Sequence, residues 1–171
     1  ACPLIPALKT IIGMSLKTSL SSIPSYRLET PRAFAPRLRA KVHIKVDTGM
    51  GRIGVWHERA DEFIRQVHKM PDIEIEGVCS HFATADEKNL DFARKQFDWF
   101  NSCLERIKDL PIRFKHISNT GAIFNLPEAH LNMVRPGLSI YGVSPSEYVK
   151  GAKKLKPALS LKTKIAFLKE I

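Results

Sequence analysis

Three side chains with chemical potential crowd one short stretch: Lys45, Asp47 and Arg52, in Lys45-Val46-Asp47-Thr48-Gly49-Met50-Gly51-Arg52-Ile53-Gly54. Its glycines turn the backbone tightly straight after an apolar run, and the charges are held around that turn. Lys45 shares its side of the run with His43 and Asp47, because side chains alternate along a strand. A lysine buried there must be paired or modified. Three further segments are loaded with donors: Ser80-His81-Phe82-Ala83-Thr84-Ala85-Asp86, His116-Ile117-Ser118-Asn119-Thr120-Gly121, and Arg135-Pro136-Gly137-Leu138-Ser139-Ile140-Tyr141-Gly142. His81 reads as a base, a ring-stacking partner or a hydrogen-bonded structural residue. His116, among apolar strand neighbours, reads as structural. Asn119-Thr120-Gly121 opens a short helix, suited either to a phosphate or to simple capping. Arg135, locked ahead of a rigid Pro-Gly turn, is better explained as aimed at something than as a surface charge.

The elements that must position these groups follow from periodicity. Val42–Val46 and Ile73–Ser80 read as strands, and Glu58–Lys69 as a helix with Ala60, Phe63, Ile64 and Val67 at helical spacing. A longer helix spans Leu90–Ile107, with Leu90, Ala93, Phe97, Phe100, Leu104 and Ile107 on one face and Asn89 as N-cap. Ile112–Ile117 reads as a third strand, Gly121–Asn125 as a short helix, and Leu131–Val134 as a fourth strand. Strand and helix thus alternate from residue 41 to about 140, which argues βα units and a parallel sheet. Each expected strand runs into one of the polar segments. In a parallel barrel all such strand ends share one face, and that face holds the site. From Pro157 the pattern changes: Leu159, Leu161, Thr163 and Ile165 alternate as in a β-strand.

Composition sets outer bounds. The 171 residues suffice for one domain with a core, and no apolar run approaches a membrane span. Cys2, Cys79 and Cys103 form neither a disulfide framework nor a metal-ligand spacing, so a reducing, cytoplasmic setting is the default expectation. The net charge is +10, and residues 1–40 carry six basic side chains against Glu29 alone. That stretch fits a basic arm, a transit peptide or an ordinary solvated surface, and no nucleic-acid-binding motif accompanies it. Prolines at 3, 6, 24, 31 and 36 interrupt any helix there. The chain does not begin with Met, which fits a fragment or a processed product.

Taken in order, the Lys45–Gly54 loop, His81, the His116–Thr120 segment and Arg135-Pro136-Gly137 through Tyr141-Gly142 resemble alanine racemase. The resemblance covers residues 41–145 and extends weakly to 171. It implies an α/β fold: the second half of a (β/α)8 TIM-type barrel over residues 41–150, then a linker and the first strand of a C-terminal β domain over 151–171. Residues 1–40 would hold another strand-helix unit. It further implies pyridoxal 5'-phosphate as cofactor, L- and D-alanine as substrates, a cytoplasmic homodimer and a role in peptidoglycan synthesis. On the matching positions, Arg135 would face the pyridine nitrogen, and Thr120 with the backbone N–H groups of Gly137 and Leu138 would hold the phosphate. His81 would pack near the ring, and Arg52 near the phenolic oxygen and the substrate carboxylate. Lys45 matches a position that is carbamylated in the family, where a carbamate could orient Arg52. The chain also departs from the family. The Lys-Ala-(Asn/Asp)-Ala-Tyr-Gly context of the Schiff-base lysine is absent, and so is the β-domain tyrosine that acts as second base. The 171-residue chain alone is therefore expected to be inactive. The other reading is a non-catalytic remnant, a basic binding module built on half a barrel.

Overall fold

The computed structural model describes residues 39–158 and 160–170. Nearly all of the expected unit in residues 1–40 lies outside them. Four strands form one parallel sheet: β1 (Ala40–Asp47), β2 (Val55–Trp56), β3 (Ile73–Cys79) and β4 (Phe114–His116), in the order β2-β1-β3-β4. Helix α1 (Ala60–His68) connects β2 to β3, α2 (Asp91–Arg106) connects β3 to β4, and α3 (Thr120–Asn125) follows β4. These are the alternating, parallel βα units expected of part of a barrel.

Alternation along β1 sorts its two faces. Val42, Ile44 and Val46 are buried in the main apolar core with Ile64 and Val67 of α1, Val78 of β3, and Phe100, Cys103 and Leu104 of α2. His43, Lys45 and Asp47 occupy the opposite face, so the residues with chemistry are kept away from the helix layer. In α1 the buried residues are Ala60, Ile64 and Val67, and in α2 they are Ala93, Gln96, Phe100, Cys103 and Leu104, at the helical threes and fours. Asn89 does accept a hydrogen bond from the Asp91 amide at 2.8 Å, but the N-cap position itself is Leu90. The asparagine makes a local turn just outside the helix.

The structure departs from the sequence pattern in three places. First, β2 was not anticipated, because two residues carry no periodicity. The Gly-rich loop folds back, so that Val55 and Trp56 lie parallel beside Val46 and Asp47. Parallel neighbours usually need a long crossover. Here Gly54, at φ +117°, allows a short one: a Cβ on it would sit 2.8 Å from the Lys45 carbonyl oxygen. Second, Leu131–Val134 is not a strand. The Asn132 side chain takes over the pairing, accepting from the Lys115 amide and donating to the Arg113 carbonyl, both at 2.7 Å. Leu131 bends away at φ 51°. The Arg135 amide, bonded to the Ser118 carbonyl at 3.0 Å, ties the segment's end to the backbone after β4. Third, no strand forms among residues 160–170, and Leu161 and Ile165 are 97% and 83% exposed. Alternation favours a strand only where another strand completes the ladder. Leu159 lies outside the described residues. The third expected strand is real but short, pairing only over Phe114–His116.

Candidate functional site

The ends of β1, β3 and β4 converge, and Arg135 is the group they converge on. Its Nη2 donates to the Ser80 carbonyl at 2.8 Å, to His81 Nδ1 at 3.1 Å and to the Ile117 carbonyl at 3.3 Å, and its Nη1 meets His116 Nδ1. Arginine offers five N–H donors and no acceptor. Both histidines must therefore present an unprotonated Nδ1. The electrostatics agree: burial, then the nearby charge of Arg135 and further cations, lowers both His81 and His116 to about 4. Both rings are neutral at pH 7. Arg135 itself is lowered by burial but keeps its charge. Its Nε–H and one Nη1 hydrogen remain uncommitted among the described residues.

The β1 loop is pinned from two sides. Asp47 Oδ1 accepts from the Gly49 amide at 2.9 Å and the Gly51 amide at 3.2 Å. Fully buried Gln96 of α2 donates to Thr48 Oγ1 and to the His81 carbonyl, both at 3.3 Å, and accepts from the Ala83 amide at 2.9 Å. Thr48 in turn bonds Ser80 Oγ at 2.7 Å, and Ser80 donates to the Val46 carbonyl at 2.8 Å. One helix side chain thus ties the loop after β1 to the loop after β3. Lys45 is buried, with its Nζ donating to the Val46 carbonyl at 3.0 Å. Burial above all lowers it to about 8; Arg135 and Arg52 push the same way, while Cys79 and Asp47 oppose. Arg52 stands exposed at the loop's rim, with no ion-pair partner among the described residues.

The remaining donors lie at the start of α3 and of the 3-10 turn Gly137–Tyr141. Asn119 caps α3, accepting from the Ala122 amide at 3.1 Å. Thr120 Oγ1 donates to the Pro136 carbonyl and accepts weakly from the Ser139 amide. As the first residues of the turn, Gly137 and Leu138 have no intrahelical acceptor for their N–H groups. A cleft of about 390 Å³ joins these groups to Arg135; its walls include His81, Thr120, Arg135, Gly137 and Leu138. Five of the seven residues to which the resemblance assigns a role therefore line one cleft. Lys45 and Arg52 do not; they act on it through charge.

Residues 7–145 match the family "Alanine racemase, N-terminal domain". The chain belongs to this family. The match reaches back through most of residues 1–40, which composition alone left unread. The chain is 48% identical over 136 residues to "Alanine racemase 2" of Caldanaerobacter subterraneus subsp. tengcongensis, covering 78% of this chain and 35% of that protein. It is 43% identical to the alanine racemase of Methanococcus maripaludis over 136 residues, covering 77% and 36%. Among solved structures, the alanine racemase of Clostridium difficile 630 in complex with cycloserine superposes with a TM-score of 0.68 at 38% identity, covering 71% of this chain and 34% of that one. That of Bacillus anthracis with bound L-Ala-P gives 0.62 at 36% identity, covering 70% and 32%. The fold is thus the TIM-barrel-like α/β fold of alanine racemases. The chain spans about one third of the length of these relatives.

Sequence reasoning undervalued His116, which is not a passive strand residue but the partner of Arg135. It also passed over Gln96, whose helical position marked it only as core. His43 had a visible signal, its shared face with Lys45 and Asp47, but no visible partner.

Proposed function

We propose that this chain forms the cofactor-binding part of a pyridoxal-phosphate-dependent alanine racemase, acting on L- and D-alanine. The observation that carries the reading is the cleft with Arg135 at one side and, at the other, Thr120 and the Gly137 and Leu138 N–H groups, which have no intrahelical acceptor. Its volume lies within the range of small-molecule sites, and its donors suit an anion plus a ring nitrogen acceptor.

Pyridoxal phosphate, when bound, supplies an electron-withdrawing ring that acidifies the α C–H of an attached amino acid. Thr120 and the Gly137 and Leu138 amides would hold its phosphate. Arg135 would hold the pyridine nitrogen with an uncommitted N–H. Because a guanidinium does not surrender its proton, it donates a hydrogen bond there and leaves the nitrogen unprotonated. His81, neutral and braced on Arg135, would pack by the ring. Arg52 would orient the substrate carboxylate and the phenolic oxygen.

Lys45 fits a carbamate. At pH 7 a group with a pKa of about 8 is neutral in roughly one molecule in ten. The free amine adds to carbon dioxide, forming an N–C bond and releasing a proton. The carbamate would replace a buried cation with an anion among Arg135 and Arg52. With carbon-13-labelled bicarbonate, a carbamate resonance is expected in the wild-type chain that is lost in a Lys45→Ala variant.

The reading includes a homodimeric, cytoplasmic enzyme serving peptidoglycan synthesis, with the cofactor lysine and the second base outside the matched motifs of this chain. The test is calorimetric titration with 4'-deoxypyridoxine phosphate, which cannot attach covalently. Saturable binding is expected, weakened about tenfold or more by Arg135→Leu, the size of a lost charge-assisted hydrogen bond. No binding, or equal binding to both chains, would overturn the reading. Measurable racemisation by these 171 residues alone would contradict the roles given to a lysine and a second base outside the matched motifs.

A further inference from the structure

His43 has no part in the site described above, yet it touches it. It sits on β1, and His116 sits on β4, with β3 between them. The two rings meet regardless: His43 Nδ1 lies 2.8 Å from His116 Nε2. They meet over Gly77 of β3. A Cβ at Gly77 would lie 2.6 Å from both Nδ1 and Cε1 of His43, so any side chain there would close the passage. Register makes the gap: an irregularity between Val42 and His43 sets Val42 against Ile75 but His43 against Gly77, skipping Glu76. Such irregularities re-aim side chains near functional sites.

The polarity of this contact is dictated from the Arg135 end. Arg135 can only donate, so His116 Nδ1 accepts and His116 Nε2 carries the proton. His116 then donates to His43 Nδ1, and the proton of His43 sits on Nε2. That nitrogen lies 3.9 Å from Glu76 Oε2, whose other oxygen accepts from Lys41 Nζ at 3.2 Å. Arg135, His116 and His43 thus run outward from the cleft through two hydrogen bonds, each donated outward, with Glu76 at ion-pair distance on the half-buried rim of the sheet.

We propose that His43 is a positioning residue for Arg135, acting through His116, and that it does so only while its Nδ1 is unprotonated. A second proton on His43 would set an N–H against the N–H of His116. His116 cannot reverse its own polarity, because Arg135 occupies its other nitrogen as a donor. The link must then break, and the His116 ring that braces Arg135 Nη1 loses the contact that fixes its orientation. The charged groups facing His43 are Glu76 from β3 and Lys41 and Lys45 on its own strand. His116 faces it from β4 with Arg135 behind. The Phe114 ring stacks on it at 5.9 Å and is itself covered by Arg113 at 4.7 Å. This deepens the reading of Arg135 as a ring-nitrogen donor, and its functional consequence rests on that reading.

The test is nitrogen-15 NMR of the full chain, reading imidazole tautomers and the exchange of the Arg135 Nη hydrogens. At neutral pH, His116 and His43 are both expected as Nε2–H tautomers, with Arg135 in slow exchange. Exchange should accelerate as His43 protonates, and in His43→Phe at all pH values. His43→Gln, whose side-chain oxygen can accept from His116, should restore the slow regime and remove the pH dependence. Affinity for 4'-deoxypyridoxine phosphate should fall roughly fivefold in His43→Phe, the worth of one net hydrogen bond, and recover in His43→Gln. Should His43→Phe fail to fold, the titration of the unmodified chain decides. A protonated His116 Nδ1 at neutral pH, or Arg135 exchange indifferent to His43 protonation, would overturn the proposal. If the unmodified chain does not bind the probe, the cofactor reading fails, and the spectra still decide the link to His43.

Discussion

At the scale of single residues, the site is a set of neutral groups arranged around charges that cannot be neutralised. His81 and His116 are the clearest case. Their ordinary value of 6.5 falls to about 4 in the folded chain, through burial and then Arg135. The unfolded chain therefore binds more protons than the folded one between these values. Their contribution to stability is whole above about 6.5 and is lost as pH falls toward 4. The urea midpoint is expected to drop from pH 7 to pH 5, and the drop should shrink in a His81→Gln variant. An unchanged midpoint across that window would show that burial and Arg135 do not depress these rings. Single residues also explain what the sequence could show. Arg135 announced itself because a charge before Pro-Gly is unusual in form. Gln96 did not, because a buried glutamine at a helical core position looks like any other member of that face until its hydrogen bonds are known.

At the scale of elements, the helices and longer strands were legible because they alternate or repeat over many residues. β1, β3, α1 and α2 appear within a few residues of where periodicity puts them. Elements set by one contact were not legible: β2 depends on the backbone approach at Gly54, and Leu131–Val134 is denied a ladder by the Asn132 side chain. The link from His43 to His116 was hidden for a related reason. It requires knowing which residue of β3 lies opposite, and an irregularity moved that from Glu76 to Gly77. α2 carries the core side of the site, since Phe100 is fully buried one turn from Gln96. Phe100→Ala should cost about 3–5 kcal/mol, the usual range for removing a buried aromatic, read as a loss in the denaturation midpoint. A cost under about 1 kcal/mol would mean that α2 does not anchor the sheet.

At the scale of the whole molecule, the core lies under one face of the sheet, the cleft lies in the loops beyond its strand ends, and residues 160–170 stand apart from both. Leu161 and Phe167 are 97% and 80% exposed. Side chains that bury nothing contribute nothing on folding, so the double change Leu161→Ser with Phe167→Ser should alter stability by no more than about 0.5 kcal/mol. A larger loss would reveal that this stretch packs. No helix among the described residues is long and apolar enough to cross a membrane. The family was legible at this scale before the fold was, because four motifs in one order carry more information than any one of them. The barrel half was legible in its βα units and not in its end, where a strand pattern has no strand to join.

The fold-back at Gly54 bears on how the protein assembles. Most of the site depends on partners distant in the chain, such as Arg135 on Ser80 and His116. The loop after β1 closes on its own strand, over residues 45–56, and its aspartate caps amides two and four positions away. Contacts so near in sequence cost little loop-closure entropy and form early. The residues that identify the family can thus be shaped before the cleft exists, as a template onto which the later strands dock.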